Sequence, residues 1–488
     1  MFIFKTRYPK IIFYIWINDN ETIFHQTTKS ILKNHYPNYE IIKVNPTKTN
    51  ELEFITGYPS SGWTIFLYSG DIINPFALFK LAKLSHTNKH DIIFFDDSIQ
   101  KKDEQINTSR YKPSYSSHYL NSYNFIGNSF MVSRSILPKS IPIVESFDGI
   151  VWQLLLSFSQ QGKSFYHQSG KFLDYALRPT PAIGSLKAML EATTNQGQTA
   201  LSNESAVFKR NIILIEKPLI SILIPFKDKP ELLATCVNSI LKKGQYPNIE
   251  IIGISNNSNE KETFKLMKTL SDDDDRIRFI EHNIPFNFST LNNKAATLAK
   301  GKHLVLLNND IEIISEDWLK EMLYFSEQKD VGAVGARLYY ANDTVQHAGI
   351  VLGISGIANH AFWQYPRTSH GYENRLICPQ EYLAVTAACL MVKKELYQKM
   401  GGLNETDLAV AYNDVDFCLR LNQAGFHNIY CPHAEAYHYE SISRGADNTI
   451  EKNERLAKES DYMLKTHASF FKKTDPFYHP ALPKTKVF

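Results

Sequence analysis

Two rhythms of apolar and polar positions run along this chain. Short unbroken runs of Ile, Val, Leu and Phe end abruptly on polar residues, and between them lie segments whose apolar residues recur every three or four positions. The first rhythm predicts strands buried on both faces, the second amphipathic helices packed on them. Thus ISILIPF (220–226) predicts a strand and Pro230–Lys243 a helix, with Leu232, Leu233, Cys236, Ile240 and Leu241 near helical spacing. IEIIGIS and RIRFIEH predict two more strands, and Ser289–Lys300 a helix stopped by Gly301. Strands alternating with helices indicate βαβ units and a mainly parallel sheet, an α/β fold. The run KHLVLLNND, Lys302–Asp310, halts on two Asn and an Asp. In open α/β sheets ligands sit beyond the carboxyl ends of the strands, so Asp310 stands where a site is expected. A carboxylate there can hold a hard divalent cation, and the cation a diphosphate. Taken alone, Asn-Asn-Asp reads as the start of a turn.

The pattern occurs twice. KIIFYIWINDN (10–20) returns as LISILIPFKDK (219–229), and SILK followed by HYPNYEII returns as SILK followed by KGQYPNIEII. TIFLYSGDI (64–72) returns as HLVLLNNDI (303–311), and Met131-Val132 as Met391-Val392. Four blocks in the same order indicate duplication. The offset grows from 210 residues at Tyr36 and Tyr246 to 239 at Asp71 and Asp310, so the first copy is 29 residues shorter there. In the second copy that interval carries GISNNSN and FNFSTLNNKAATLAKG, which are expected to line the ligand crevice. The polar segment Thr194–Glu216 reads as the linker. The expected organisation is a first domain at 1–195, a linker at 196–216, a second domain at 217–470 and a tail at 471–488.

Composition agrees with two folded domains: 488 residues exceed one ordinary core, with 43% hydrophobic and 21% charged residues. A formal net charge of +3 leaves no footprint for nucleic acid. No apolar run approaches the length of a spanning helix, and the N-terminus lacks the layout of a secretion signal. Five cysteines, odd in number and without a C-x-x-C pair, point to reduced core thiols in a cytoplasmic protein. Lys472, Lys473, Lys484 and Lys486, with Phe470, Phe471, Phe477 and Phe488, read most simply as a solvated tail, with peripheral contact to an anionic membrane face as the alternative.

Two further groups carry chemistry in the second copy. AYNDVDFCLRL (411–421) predicts a packed helix with Asn413, Asp414 and Asp416 at its N-terminus. There carboxylates either cap the helix or serve as a general base. YHYESISRG (437–445) offers His438 and Arg444 as a metal ligand and a diphosphate clamp.

These pieces, together with PFNFSTLNN, VGAVGARLYY, VQHAGIVLG and VTAACLMV, run in order over nearly all of 217–447. They resemble family 2 glycosyltransferases of the GT-A fold, particularly those of bacterial O-antigen and surface polysaccharide assembly. The first copy, through KPSYSSHYLNSYNFIGNSFMVSRSIL, resembles the partner domain found upstream in such chains. The resemblance implies inverting transfer of a sugar from a nucleotide-sugar donor to a hydroxyl of a lipid-linked or growing glycan, at the cytoplasmic face of the membrane. It implies Mg²⁺ or Mn²⁺ held by Asp310 with Asn308 and His438, and Asp414 as the base, with Asn413 and Asp416 on the acceptor side. Pro225, Phe226, Asp228, Ser255, Asn256, Asn293, Asn309 and Arg444 are expected around the nucleotide sugar. Three positions depart from the family pattern: Asn308 replaces the first Asp of Asp-x-Asp, Ser255 replaces an Asp near the base, and Asn413 replaces a Glu.

The first copy keeps Asp71, but Trp152 and Leu154 fall where carboxylates are expected and no counterpart of His438 is evident, so it reads as a non-catalytic domain. The pair Asp96-Asp97 is the feature opposing that reading. A sugar nucleotidyltransferase would need a glycine-rich phosphate loop where PFKDKPE stands, and a scaffold within a glycan-assembly complex is the non-enzymatic alternative.

Overall fold

A computed structural model of the chain describes residues 8–17, 20–45, 51–54, 62–87, 89–100, 107–142, 146–202, 205–354, 356–439 and 449–483. The chain divides into two compact units, Met1–Asn211 and Ile212–Phe488. Both are α/β, as the two rhythms predict.

In the second unit, Ile220–Phe226 is fully buried and pairs in parallel with Ile249–Ser255 on one side and His303–Leu307 on the other. Ile277–Glu281 extends the parallel edge. Beyond His303–Leu307 the sheet takes an antiparallel strand, Cys389–Lys393, then Val331–Tyr339, then His427–His438 parallel to it, and ends on the short antiparallel Ile311–Ile313. The helix Pro230–Lys243 has Pro230 in its first turn, where a missing N–H costs nothing, and buries Leu233, Cys236, Val237 and Ile240 against the sheet. All five cysteines are buried free thiols, and burial raises the pKa of Cys236 first among its causes, with nearby Asp310 adding to it.

The first unit repeats this order. Tyr39–Val44, Ile11–Trp16 and Trp63–Tyr68 are parallel neighbours, followed by antiparallel Phe130–Ser133, then Ile92–Gln100, then Phe165–Tyr175, and last the antiparallel Ile72–Ile73. Seven strands in one order, in two units, carry the duplication from sequence into topology. Among the described residues the first unit has no counterpart of the strand Ile277–Glu281.

Two expected boundaries shift. The segment read as a linker contains a hairpin, Gln198–Ser202 with Val207–Arg210, whose Val207 and Phe208 are buried in the first unit. Its strands are short and polar on one face, which hid them in the sequence. The exposed stretch lies later, at Ile213 and Ile215. The segment read as a solvated tail packs instead: Asp475, Phe477, Tyr478 and Leu482 are buried, and Asp475 accepts the Leu352 N–H at 3.0 Å. Lys484, Lys486 and Phe488 lie outside the described residues. Among the described residues no helix is long and apolar enough to cross a membrane.

Candidate active site

A cavity of about 440 Å³ opens in the second unit at the carboxyl ends of its parallel strands. Pro225, Phe226 and Asn256 line one side, Asn308, Asn309, Asp310 and His438 the floor, and Asn413 and Asp414 the far side. Segments as far apart in the chain as Pro225 and His438 meet because each ends a strand or opens a helix at this edge.

The floor is built by the turn after His303–Leu307. Asn308 N–H donates to Ala388 at 3.0 Å, fixing the turn against the antiparallel strand. Asp310 is 4% exposed, and its backbone carbonyl accepts the Tyr439 N–H at 2.9 Å. That bond and the pairing of Ile311 with His438 bring the imidazole over the carboxylate, with His438 Nε2 3.2 Å from Asp310 Oδ1 and 3.2 Å from Asn308 Nδ2. His438 Nδ1 donates to Gln346 Oε1 at 2.7 Å, which leaves Nε2 turned toward Asp310 and Asn308.

Asp414 is the second residue of the helix Asn413–Gln423. Tyr412, the residue before the helix, sits at φ 60°, a left-handed conformation that costs a tyrosine energy and turns the chain sharply into the cavity. Asp414 is half-buried, and its Oδ2 accepts the Ala387 N–H at 3.0 Å while Oδ1 accepts that of Val415 at 2.8 Å. The preceding turn is tied down by Glu459, which accepts the Val410 N–H at 2.9 Å and the Ala411 N–H at 3.3 Å.

Four residues expected at the site stand outside the cavity lining, each committed elsewhere. Asp228 Oδ1 accepts the Asn259 and Glu260 N–H groups at 2.8 and 2.9 Å, tying down the segment before the helix Lys261–Asp273. Ser255 is buried and donates to Ser258 at 2.9 Å. Asn293 donates to the Leu403 carbonyl and accepts its N–H, joining the helix Phe288–Leu298 to the 403–405 segment. Asp416 is 1% exposed between Arg420 Nε at 2.9 Å and His467 Nε2 at 2.8 Å. Helical spacing explains the last case: two residues beyond Asp414 points a side chain away from the cavity. Arg444 lies outside the described residues.

The cavity also presents groups that sequence reasoning passed over, notably Gln346, His360, Thr386 and Tyr412. Gln346 lies within VQHAGIVLG, a motif recognised as a block but not for its side chains. Its neighbour His347 is completely buried and its pKa is held well below the usual imidazole range, by burial first and then by His360 and His438.

Residues 221–401 match the family described as glycosyl transferase family 2. The second unit contains a family 2 glycosyltransferase domain. Its sheet has the GT-A-like α/β fold expected for that family. The chain is 34% identical over 437 residues to an uncharacterised protein, y4gI, of Sinorhizobium fredii, covering 84% of this chain and 47% of that protein. It is 33% identical over 445 residues to the O-antigen biosynthesis protein RfbC of Myxococcus xanthus, covering 86% of this chain and 34% of the relative. The chain thus spans less than half the length of either relative. A solved structure, the mannosyltransferase PcManGT of Pyrobaculum calidifontis in complex with GDP-Man and Mn²⁺, is 14% identical, with 55% of this chain and 68% of that chain covered and a TM-score of 0.38.

The residues on the floor of the glycosyltransferase domain fit a divalent cation. A carboxylate, an amide and an imidazole converge there, and Asn308 Oδ1 is buried without a hydrogen-bond partner. Oxygen donors with one imidazole suit Mn²⁺ or Mg²⁺.

Proposed function

We propose that the second unit transfers a sugar, with inversion, from a nucleotide-sugar donor to a hydroxyl of a lipid-linked or growing surface glycan. The observation that carries this reading is the placing of a cation-type donor set and an anchored carboxylate, Asp414, on two sides of one cavity. The O-antigen biosynthesis name of the Myxococcus relative supports a surface-glycan acceptor.

In this reading the nucleoside lies beside Pro225, Phe226 and Asn256, with Asn309 near the sugar. Asp310, Asn308 Oδ1 and His438 Nε2 would hold Mg²⁺ or Mn²⁺, which supplies charge neutralisation for the departing diphosphate. Asp414 takes the proton from the acceptor hydroxyl as its oxygen bonds to the anomeric carbon, and the bond from that carbon to the diphosphate oxygen breaks. The Ala387 and Val415 N–H bonds hold the carboxylate in place without consuming all its lone pairs. Asn413 donates to the Val410 carbonyl at 3.0 Å and shapes the acceptor side.

The test is nucleotide release across a panel of UDP-, GDP- and dTDP-sugars with Mn²⁺ or Mg²⁺, then with chelator. Slow, metal-dependent release from one donor supports transfer. No release from any donor, with or without membrane-extracted glycolipid, refutes it and leaves the scaffold reading.

A further inference from the structure

The two copies of the fold also differ away from the cavity, on one helical layer. In the first unit the helices Glu21–Leu32 and Ala77–Thr87 lie on the same side of the sheet. Ile31 of one and Leu78 and Leu81 of the other share an apolar cluster with Ile11, Phe13 and Ile15, alternate residues on one face of their strand. Polar side chains join the two helices: Ser30 Oγ accepts the Ile73 N–H at 3.1 Å, and Asn34 Oδ1 accepts the Leu78 N–H at 3.3 Å.

The outward side of this layer is basic and partly apolar. Thr27, Ser30 and Ile31 turn inward, which leaves Lys29, Leu32 and Lys33 exposed at the end of the first helix. Lys80 is exposed on the second. Leu32 is 54% exposed, and Phe76, immediately before the second helix, is 70% exposed. No Asp or Glu occurs from Thr22 to Tyr39 or from Ile72 to His90. The acids flanking the first stretch are paired, Glu21 with Lys43 at 2.5 Å and Glu40 with Lys10 at 2.7 Å.

Phe76 decides what this face meets. Its φ of 65° is a left-handed conformation that costs a phenylalanine energy, and its ring gains little burial in return. In the second unit the residue before the corresponding helix, Trp318–Ser326, is Asp317, which pairs with Lys320 at 2.6 Å. An acid suits a helix start, whereas a strained, outward-held ring does not serve the fold. A ring and a leucine set among lysines match a surface that is anionic outside and apolar beneath. A soluble polyanion would use the lysines and leave Phe76 and Leu32 without a role.

We propose that this face of the first unit binds an anionic lipid bilayer, with Phe76 and Leu32 entering the acyl boundary and Lys29, Lys33 and Lys80 meeting lipid phosphates. The proposal stands apart from the transfer reading, because vesicle binding needs neither donor nor metal.

The test is flotation of the full-length chain with vesicles of phosphatidylcholine, alone or mixed in equal parts with phosphatidylglycerol. Binding to the mixed vesicles only, weakened by salt, is expected. Each lysine near such a surface contributes about fivefold, so Lys29→Gln, Lys33→Gln and Lys80→Gln together are expected to lower affinity about a hundredfold. Phe76→Ser is expected to lower it about tenfold. Removing the same charge from exposed positions of the second unit, by Lys242→Gln, Lys261→Gln and Lys265→Gln, is expected to leave it unchanged. Phe76→Trp should add blue-shifted emission on mixed vesicles and none with dextran sulfate. Equal losses in the two triple variants, no loss in Phe76→Ser, or equally tight binding to dextran sulfate overturns the proposal. So does a wild-type chain that floats with neither vesicle, and in each case the transfer reading stands.

Discussion

The two units solve the same electrostatic problem in opposite ways. Each ends its third parallel strand on a buried aspartate, Asp71 in the first and Asp310 in the second, 0% and 4% exposed. Each opens the following acidic helix with an aspartate in second place, Asp148 and Asp414. In the first unit a guanidinium fills the space between them: Arg178 lies 3.3 Å from both Asp71 and Asp148, also donates to Asn128 Oδ1 at 3.3 Å, and is packed over the rings of Tyr68, Phe147 and Tyr175. Asp71 is further held by the Tyr68 and Ala176 N–H groups at 2.9 Å and by Asn128 at 2.8 Å. Burial works against the charge of Arg178, but Asp71 and Asp148 outweigh it and raise its pKa. In the second unit the corresponding space is the cavity. A duplicated fold has thus kept its carboxylates in both copies, and we read the tethered cation of the first copy as a structural replacement for the exchangeable one proposed in the second.

The largest expected effect tests that division directly. Asp414→Asn removes the proposed base and is expected to lower turnover about a thousandfold, with nucleotide-sugar affinity retained. Asp148→Asn, at the same helix position of the first unit, is expected to leave turnover unchanged. Steady-state kinetics on both variants decide it, and comparable losses would erase the distinction between the units.

Stability should respond in the reverse sense. Arg178→Ala leaves Asp71 buried without its cation and is expected to destabilise the first unit by about 3 kcal/mol. Asp310→Asn, which relieves charge in an open cavity, is expected to cost less than about 1 kcal/mol while abolishing metal-dependent release. Thermal or denaturant unfolding read by tryptophan fluorescence separates the two. If Asp310→Asn proves the more damaging to folding, the second unit's aspartate is structural as well.

How much of this was legible beforehand depended on the length scale of the signal. Strand and helix positions around Ile220–Phe226 and Pro230–Lys243 follow from local periodicity, and the duplication from repeated blocks, so both could be read from the residues. Asp310, Asn308, His438 and Asp414 could be singled out because each stands in a recognisable motif at an element end. Asp228, Ser255, Asn293 and Asp416 stand in the same motifs, and only their bonding partners, up to 112 residues away for Asn293, reveal their structural commitments. Trp152 and Leu154, expected at the acidic positions, lie deeper in the helix Phe147–Gln160; Asp148 holds its second position, and Trp152 is core, its indole N–H bonded to the Leu120 carbonyl at 2.8 Å. Arg178 gives no sequence signal, since nothing local says that a lone arginine will turn inward. The pair Asp96-Asp97, which opposes the non-catalytic reading of the first copy, is also engaged by partners distant in sequence. Asp97 is bonded by Arg110 and Lys112 at 2.6 Å each, and Asp96 by His167 at 2.9 Å and the Gly170 N–H at 2.7 Å.

Buried acids in the two units should also split under acid. Burial alone would raise the pKa of Asp97, but Arg110 and Lys112 hold it below the usual carboxylate range. Its contribution is therefore present at neutral pH and lost as the pH falls below about 4. Asp475 in the second unit goes the other way: burial raises its pKa to about 6, against the Leu352 and Phe477 N–H bonds that lower it. A folded state that holds its proton to higher pH than the unfolded chain gains stability as pH falls from about 6 to about 4, on the order of 2 kcal/mol. Hydrogen exchange resolved by segment between pH 7 and pH 3 is expected to show the first unit opening before the 475–482 segment loosens. Asp475→Asn should flatten the second trend. Simultaneous opening of both regions would mean that these two carboxylates do not govern the response.

The finest contrast concerns the imidazole. In the second unit His438 pairs with Ile311, and in the first the same register position, opposite Ile72, is Asp174, bonded by the Ser98 hydroxyl. A metal-facing histidine works only if its other nitrogen is held, and here Gln346 Oε1 holds Nδ1–H at 2.7 Å. Gln346→Leu deletes that acceptor while leaving Asp310, Asn308 and His438 in place. Loss of such an outer partner typically weakens metal binding by about 10-fold to 100-fold, and the lower end is expected because Ile311 still pins the strand. Gln346→Glu, which supplies a charged acceptor to the same nitrogen, should bind Mn²⁺ more tightly than Gln346→Leu. Both are measured by Mn²⁺ titration followed by electron paramagnetic resonance, independently of turnover. Equal Mn²⁺ affinity in Gln346→Leu and wild type would show that the imidazole is not a ligand, and would leave Asp310 as the feature that separates the second floor from the first.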